Sequence, residues 1–297
     1  MKVFNFGKGG ELSDSANFEK VIDTLNEMRD GDCNKGTFGT LACICGSYGM
    51  AGAAMLCGSA AVTTGAGIVK MLIPKSIYPI CASQLWENVF VPLDETADGT
   101  FSADCSPKIV EEANKCSAAV VGCGMRNCPD SAAIVDELIK KCERPLIIDA
   151  DGLNCISSHI DILKERTAPT ILTPHPGEMS RLCGKTVSDI QSSRQSTAES
   201  FASEYGCITV LKGEGTIITD GSCTYINSTG NGCLAKGGSG DVLSGIIGAL
   251  VCQGIPPLSA AAAGTYIHGF AADECIDSIA MSCVTARDVI EAIKYIM

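Results

Sequence analysis

The chain has 297 residues, with 22 Lys or Arg against 34 Asp or Glu, for a formal net charge of −12. Its 46% apolar and 19% charged residues exclude a disordered chain, and the acidic balance excludes a surface built for nucleic acid or anionic membrane. No apolar run reaches the roughly 20 residues of a membrane span and the N-terminus shows no secretion signal, so a soluble, cytoplasmic protein is expected.

The first 35 residues are the most polar, and 16–28 reads as a helix followed by a loop. From there short β-branched or apolar runs alternate with helical patterns. A strand is expected at 41–45, a helix at 51–63, then strands at 68–73 and 118–122. A helix at 129–142 precedes strands at 146–149 and 170–173, and a polar amphipathic helix at 187–205 precedes a strand at 207–211. Strands at 216–219 and 224–227 flank the Asp220-Gly221 turn as a hairpin. Helices at 240–253, 258–277 and 285–296 complete the chain. The alternation implies one α/β domain with a mostly parallel sheet and helices on both faces.

Eighteen cysteines would suit a disulfide scaffold, but most lie inside apolar stretches where a thiol acts as a small hydrophobe. There is no Cys-x-x-Cys pair. Cys43 and Cys45 stand two apart on a strand, without a His or second Cys pair near them in sequence to complete a zinc site. Reduced thiols and no structural metal are therefore expected.

The most informative stretch is NGCLAKGGSGDVLSG at 231–245. Gly237-Gly238-Ser239-Gly240 has almost no side-chain bulk and runs into an apolar helix, so backbone N–H groups and the helix dipole can converge on an anion. A carboxylate at the mouth of a phosphate nest is a poor ligand for phosphate. Asp241 makes sense there as the group that takes the proton from an attacking hydroxyl. For GGSGD alone, a capped helix after a tight turn explains the residues equally well. A Walker loop fails, because Gly184-Lys185-Thr186 has Met179 where the first glycine should stand.

Other candidates sit at strand ends, where ligands collect in open α/β sheets. They are 35–39 and 46–54 around the first strand, Gly122-Cys123-Gly124, Asp149-Ala150-Asp151 with Asn154, Thr173-Pro174-His175-Pro176-Gly177-Glu178, and Lys212-Gly213-Glu214-Gly215-Thr216. Each has a plainer reading: His175 as a turn residue, the two aspartates as caps, Lys212 as a solvated lysine. His268 in an Ala-rich helix reads as packed, and His159 as surface.

In this order, from Lys35-Gly36-x-x-Gly39 through GSYGMAGAAMLCGSAA, VVGCGM, LIIDADGLN, ILTPHPGEMSRL and VLKGEGT to AKGGSGDVLSGIIGAL, the segments resemble the NAD(P)H-hydrate dehydratase family of the ribokinase superfamily. The resemblance implies a ribokinase-like three-layer α/β/α sandwich over 35–297, preceded by a helix and loop extension at 1–34. It implies dehydration of (6S)-NADHX or NADPHX by phosphorylation of the hydrate's hydroxyl and elimination of phosphate. Asp241 would be the base, and backbone N–H groups of Gly238, Ser239, Gly240 and Asp241 would stabilise the transferring phosphoryl group. Lys212, Gly213, Glu214, Gly215 and Thr216, with Gly240, would hold the nucleotide. Ala53, Gly124, His175 and Asp241 would contact the hydrate. Mg²⁺ would bridge the phosphates without a protein ligand of its own. TPHPGE resembles the bacterial and archaeal form, which implies ADP rather than ATP as donor. The family further implies a homo-oligomer, by resemblance a tetramer, and epimerisation by a separate protein. One departure is Cys123, where the family usually has proline. The nearest rival is a vitamin-precursor kinase of the same superfamily, acting on hydroxyethylthiazole or hydroxymethylpyrimidine. A non-catalytic nucleotide-sensing module is a third reading, against which Asp241 and Lys212 argue.

Overall fold

The structure, a computed structural model, describes the backbone of residues 2–5 and 14–297 and the side chains from Asn17 onward. Its strands are β1 (Lys2–Asn5), β2 (Thr40–Ile44), β3 (Ile68–Pro74), β4 (Val89–Leu93), β5 (Ala118–Val121), β6 (Leu146–Ile148), β7 (Thr170–Leu172), β8 (Ile208–Leu211), β9 (Ile217–Thr219) and β10 (Cys223–Ile226). They form one sheet in the order β1-β10-β9-β8-β7-β6-β5-β2-β3-β4, parallel throughout except for β9, which runs against both β8 and β10. The expected hairpin is β9–β10.

The helices are α1 (Asp14–Asp30), α2 (Ala51–Thr63), α3 (Tyr78–Ala82), α4 (Ser106–Asn114), α5 (Pro129–Lys141), α6 (Asp151–Ile156), α7 (Pro176–Cys183), α8 (Val187–Ser192), α9 (Arg194–Tyr205), α10 (Ser239–Cys252), α11 (Pro257–Cys275) and α12 (Ala286–Ile293). Successive strand residues point to opposite faces, and both faces are covered. Leu41, Cys43 and Cys45 join a core with residues of α1, α2, α10, α11 and α12. Ala42 and Ile44 join a second core with α4, α5, α6, α7 and α9. Burial on both faces explains why β5, β6, β7 and β8 read as continuous apolar runs rather than alternating ones. The three-layer α/β/α sandwich is present as expected.

Several elements were not legible beforehand. β4 carries Pro92, which removes a ladder donor and weakens the strand signal. It is tolerated because β4 lies at the sheet's edge. β1 pairs in parallel with β10 at the opposite edge, where only a helix and loop were expected. The helix expected over 187–205 is two helices broken at Ser193, which leaves the helical region with φ −145° and ψ 44°. Ser193 Oγ instead donates to the carbonyl of Asp189. Among the described residues, no helix is long and apolar enough to cross a membrane.

The chain leaves β2 outward through β3 to β4, and leaves β5 in the other direction through β6 and β7 to β8, with β2 and β5 side by side. Strand order therefore reverses between β2 and β5, and open α/β sheets form their ligand crevice outside the carboxyl ends of such a pair.

Candidate active site

The seam between β2 and β5 is tied where the strands end. Gly46 N–H donates to the Cys123 carbonyl at 2.8 Å, and Ser47 Oγ donates to the Gly124 carbonyl at 2.8 Å. A Cβ on Gly124 would stand 2.8 Å from the Ala53 Cβ, so two of the expected substrate contacts face each other across this seam. Gly122, at φ 121°, lies so close to β6 that a Cβ would stand 1.9 Å from the Asp149 carbonyl oxygen. No side chain fits there, which accounts for the first glycine of the Gly-Cys-Gly turn.

Above the seam, α10 begins at Ser239, and Gly238 caps it in the left-handed conformation (φ 96°). Asp241 is the third residue of its first turn. An α-helix gives the first-turn N–H groups no intrahelical acceptor, so Ser239, Gly240 and Asp241 present backbone donors beside a carboxylate. Gly240 abuts the next group: a Cβ there would lie 3.4 Å from Asp149 Oδ2 and 3.5 Å from Lys212 Nζ. Lys236, for which the sequence suggested no role, donates its ammonium to the carbonyls of Ser282 and Val284 and so ties this loop to the segment before α12.

Lys212 is no solvated lysine. Its side chain is 20% exposed and donates to Asp149 Oδ1 at 2.7 Å, with Glu178 Oε2 at 3.8 Å. Burial by itself would lower its pKa, but the charges of Asp149 and Glu178 outweigh burial and raise it. Asp149 is fully buried, and Ser244 Oγ donates to its other oxygen at 2.8 Å. Burial would raise the Asp149 pKa, whereas Lys212 and the hydroxyls of Thr173 and Ser244 bring it below its usual value. This pair spans residues 63 apart in sequence and stays ionised.

Asp241 is the reverse case. Burial, followed by the neighbouring Cys123 and Asp149, lifts its carboxyl to about 9, with Lys212 opposing. A carboxyl deprived of water is a stronger base once ionised, as a proton acceptor needs to be.

His175 and Glu178 form a reciprocal cap on α7. The His175 Nδ1 accepts from the N–H groups of Gly177 (3.0 Å) and Glu178 (3.2 Å), while Glu178 Oε2 accepts from His175 N–H at 2.8 Å. Burial, then the charges of Lys212 and Arg181, lower the His175 pKa, so the imidazole is neutral and its Nδ1 is committed to the cap. The turn reading of His175 is thus correct in part, and half its side chain remains exposed beside Lys212. Asp151 also serves locally, accepting from the Arg126 N–H at 2.8 Å.

The loop Lys212-Gly213-Glu214-Gly215-Thr216 follows β8 on the same side. Its shape depends on Arg194, which sequence reasoning missed. From the head of α9 the guanidinium donates to the carbonyls of Leu211 (2.9 Å), Lys212 (3.3 Å) and Gly215 (3.5 Å). Thr216 Oγ1 closes the turn by donating to the Gly213 carbonyl at 2.8 Å.

The arrangement offers an anion nest, a buried cation and a proton acceptor within one crevice. An oxygen-seeking divalent cation finds few free carboxylate oxygens here. Both oxygens of Asp149 are hydrogen-bonded and Glu178 Oε2 holds the His175 cap. The donor set therefore suits magnesium carried on nucleotide phosphates rather than a resident ion.

A family model described as NAD(P)H-hydrate dehydratase matches residues 41–295. The chain is 36% identical over 271 residues to the bifunctional NAD(P)H-hydrate repair enzyme of Moorella thermoacetica, covering 91% of this chain and 51% of that one. It thus spans about half the length of such bifunctional relatives. It is 34% identical to the ADP-dependent (S)-NAD(P)H-hydrate dehydratase of Neisseria meningitidis, covering 91% of this chain and 88% of that protein. The crystal structure of the ADP/ATP-dependent NAD(P)H-hydrate dehydratase from Bacillus subtilis, co-crystallized with ATP/Mg²⁺, superposes with a TM-score of 0.77 at 29% identity, covering 90% and 92% of the two chains. A ribokinase-like protein of Enterococcus faecalis shares the fold with a TM-score of 0.77 at 21% identity. From the first residues of β2 to the end of the last helix, then, this chain belongs to the NAD(P)H-hydrate dehydratase family.

Proposed function

We propose that the chain dehydrates NADHX and NADPHX to NADH and NADPH at the expense of ADP, with ATP as the less favoured donor. The observation that carries this reading is the position of Asp241. Its carboxylate stands in the first turn of α10, beside the N–H groups that can receive a phosphoryl group and next to the Lys212–Asp149 pair.

Hydroxide is a poor leaving group and phosphate a good one, so a phosphoryl-transfer site can perform a net dehydration. In the first step the hydrate's hydroxyl oxygen attacks the terminal phosphorus of the nucleotide and its proton passes to Asp241. The bond from that phosphorus to the bridging oxygen breaks with its electron pair on the oxygen, and ADP departs as AMP, or ATP as ADP. In the second step the carbon–oxygen bond breaks with its electron pair on phosphate. A proton leaves the neighbouring carbon, and the ring double bond is restored.

The first-turn N–H groups stabilise charge on the phosphoryl oxygens as it develops, at no cost in reorganisation. Lys212 adds a fixed cation that cannot swing away, because Asp149 holds it. Magnesium, carried on the nucleotide phosphates, would supply positive charge that offsets theirs. The close approach of Ala53 and Gly124 leaves the β2–β5 seam without bulky side chains, where the hydrate's ring would lie, with His175 as a further contact.

The test is to supply acid-hydrated NADH with Mg²⁺ and either ADP or ATP, and to follow the return of reduced-nicotinamide absorbance. Nucleotide-dependent recovery, faster with ADP, is expected. No recovery, on a substrate that a control enzyme repairs, would reject the reading and turn attention to phosphorylation of vitamin-precursor alcohols.

A further inference from the structure

The strand pair Cys43 and Cys45 lacks zinc partners in sequence, but the fold supplies them. Cys45 follows β2, Cys57 lies on α2 and Cys123 follows β5, and their three sulfurs all lie within 4.8 Å of one another. All three residues are fully buried, and the Cys43 sulfur is 3.9 Å from that of Cys57. Three thiolates held at about 2.3 Å by one ion stand roughly 3.8–4.0 Å apart, whether the ion is tetrahedral or trigonal. The cluster is thus within an ångström of coordinating geometry. A disulfide would need only two of these sulfurs, whereas the triangle matches three positions in the coordination sphere of a soft cation.

We propose that Cys45, Cys57 and Cys123 bind a thiophilic d¹⁰ cation of the zinc class, directly beneath Asp241, and that the bound ion blocks the reaction. Gly245, one turn along α10 from Asp241, packs so closely on α2 that a Cβ there would stand 2.3 Å from the Cys57 carbonyl oxygen, which sets the cluster under the head of α10 and makes the Asp241 carboxylate the natural fourth ligand. Binding converts three S–H bonds into three sulfur–metal bonds, and the three protons leave for solvent. A divalent ion with three thiolates and the Asp241 carboxylate carries two net negative charges, which the Lys212 ammonium, shared with Asp149, offsets only in part.

Blockade rests on the catalytic role given to Asp241, whereas metal binding does not. The experiment uses reduced, metal-free, full-length protein titrated with Cd²⁺ as a spectroscopic stand-in for Zn²⁺. A sulfur-to-cadmium charge-transfer band saturating at one ion per chain is expected. The bound ion should shield Cys45, Cys57 and Cys123 from alkylation, as located by mass spectrometry on the wild type. The band should vanish in Cys45→Ala, Cys57→Ala and Cys123→Ala and persist in Cys207→Ala, another buried cysteine distant in sequence. Wild-type dehydratase activity should fall in step with the band, and Cys45→Ala should keep its activity at the same Cd²⁺ concentration. No band in the wild type, or shielding of other cysteines instead, overturns the site. A normal band with undiminished turnover overturns the blockade. A band in a wild type that turns over no hydrate upholds the site and rejects the dehydratase reading.

Discussion

Asp241 and its neighbours show which geometry a short stretch of sequence can announce. A glycine run into a helix is local, so the nest at 237–240 was legible in sequence, as was a carboxylate placed where phosphate binding alone would not want one. Asp241→Asn keeps the side chain's shape and its place in the first turn but removes the proton acceptor. Turnover should fall at least about 10²-fold, while nucleotide affinity stays nearly unchanged, as read by steady-state kinetics beside equilibrium binding. Retention of most activity would remove Asp241 from the base role. What sequence did not reveal at this scale depends on long-range contact. Asp149 holds Lys212 from 63 residues away, Arg194 shapes a loop 18 residues on through backbone carbonyls, and Lys236 reaches carbonyls 46 and 48 residues downstream. Carbonyl acceptors carry no side-chain signature, so such partners do not appear as a motif.

At the scale of elements, the strongly patterned ones were readable and the short or compromised ones were not. α2 matches its expected bounds, and the glycine-turn hairpin is in place. α7 was hidden because Pro-His-Pro reads as a turn, although the same residues build a histidine cap. α4 was missed as well, and it is strapped to the sheet by charge. Glu112, almost buried, receives Lys70 of β3 at 2.7 Å, Lys115 at 2.9 Å and Lys108 at 3.0 Å. The Lys70 hydrogen bond, then that from Lys115, pull its carboxyl down to about 2 against the opposing effect of burial. A pKa depressed in the folded state stabilises above the unfolded value, here 4.5, and that contribution disappears as pH falls toward 2. Glu112→Gln should therefore cost about 1–3 kcal/mol at neutral pH. The wild-type and variant denaturation curves should converge between about pH 4.5 and pH 2. A constant gap across that window would show that the strap acts by packing alone.

For the whole molecule, the N-terminal helix is seated on the domain rather than trailing from it. Val21 and Leu25 of α1 are buried in the same core as α11, Phe18 stacks near Tyr266 with ring centroids 4.9 Å apart, and Arg29 donates to the Gly65 carbonyl at 3.0 Å. Replacing both Val21 and Leu25 with alanine should remove at least about 3 kcal/mol and lower the single thermal transition by about 6 °C or more. An unchanged transition would mean that the helix folds independently of the rest. The sandwich itself was legible from alternating elements. The reversal between β2 and β5, which decides where the crevice lies, was not, because strand order leaves no trace in local periodicity. One face of that sheet is roofed largely by α10, α11 and α12, which leave the ribosome after every strand of the sheet. Until they emerge, a nascent chain holds its strands with that face covered only in part and lacks the donors of residues 238–241 altogether. Synthesis interrupted after β10 would thus yield a sticky, inactive product, the kind of species that chaperones and proteases recognise.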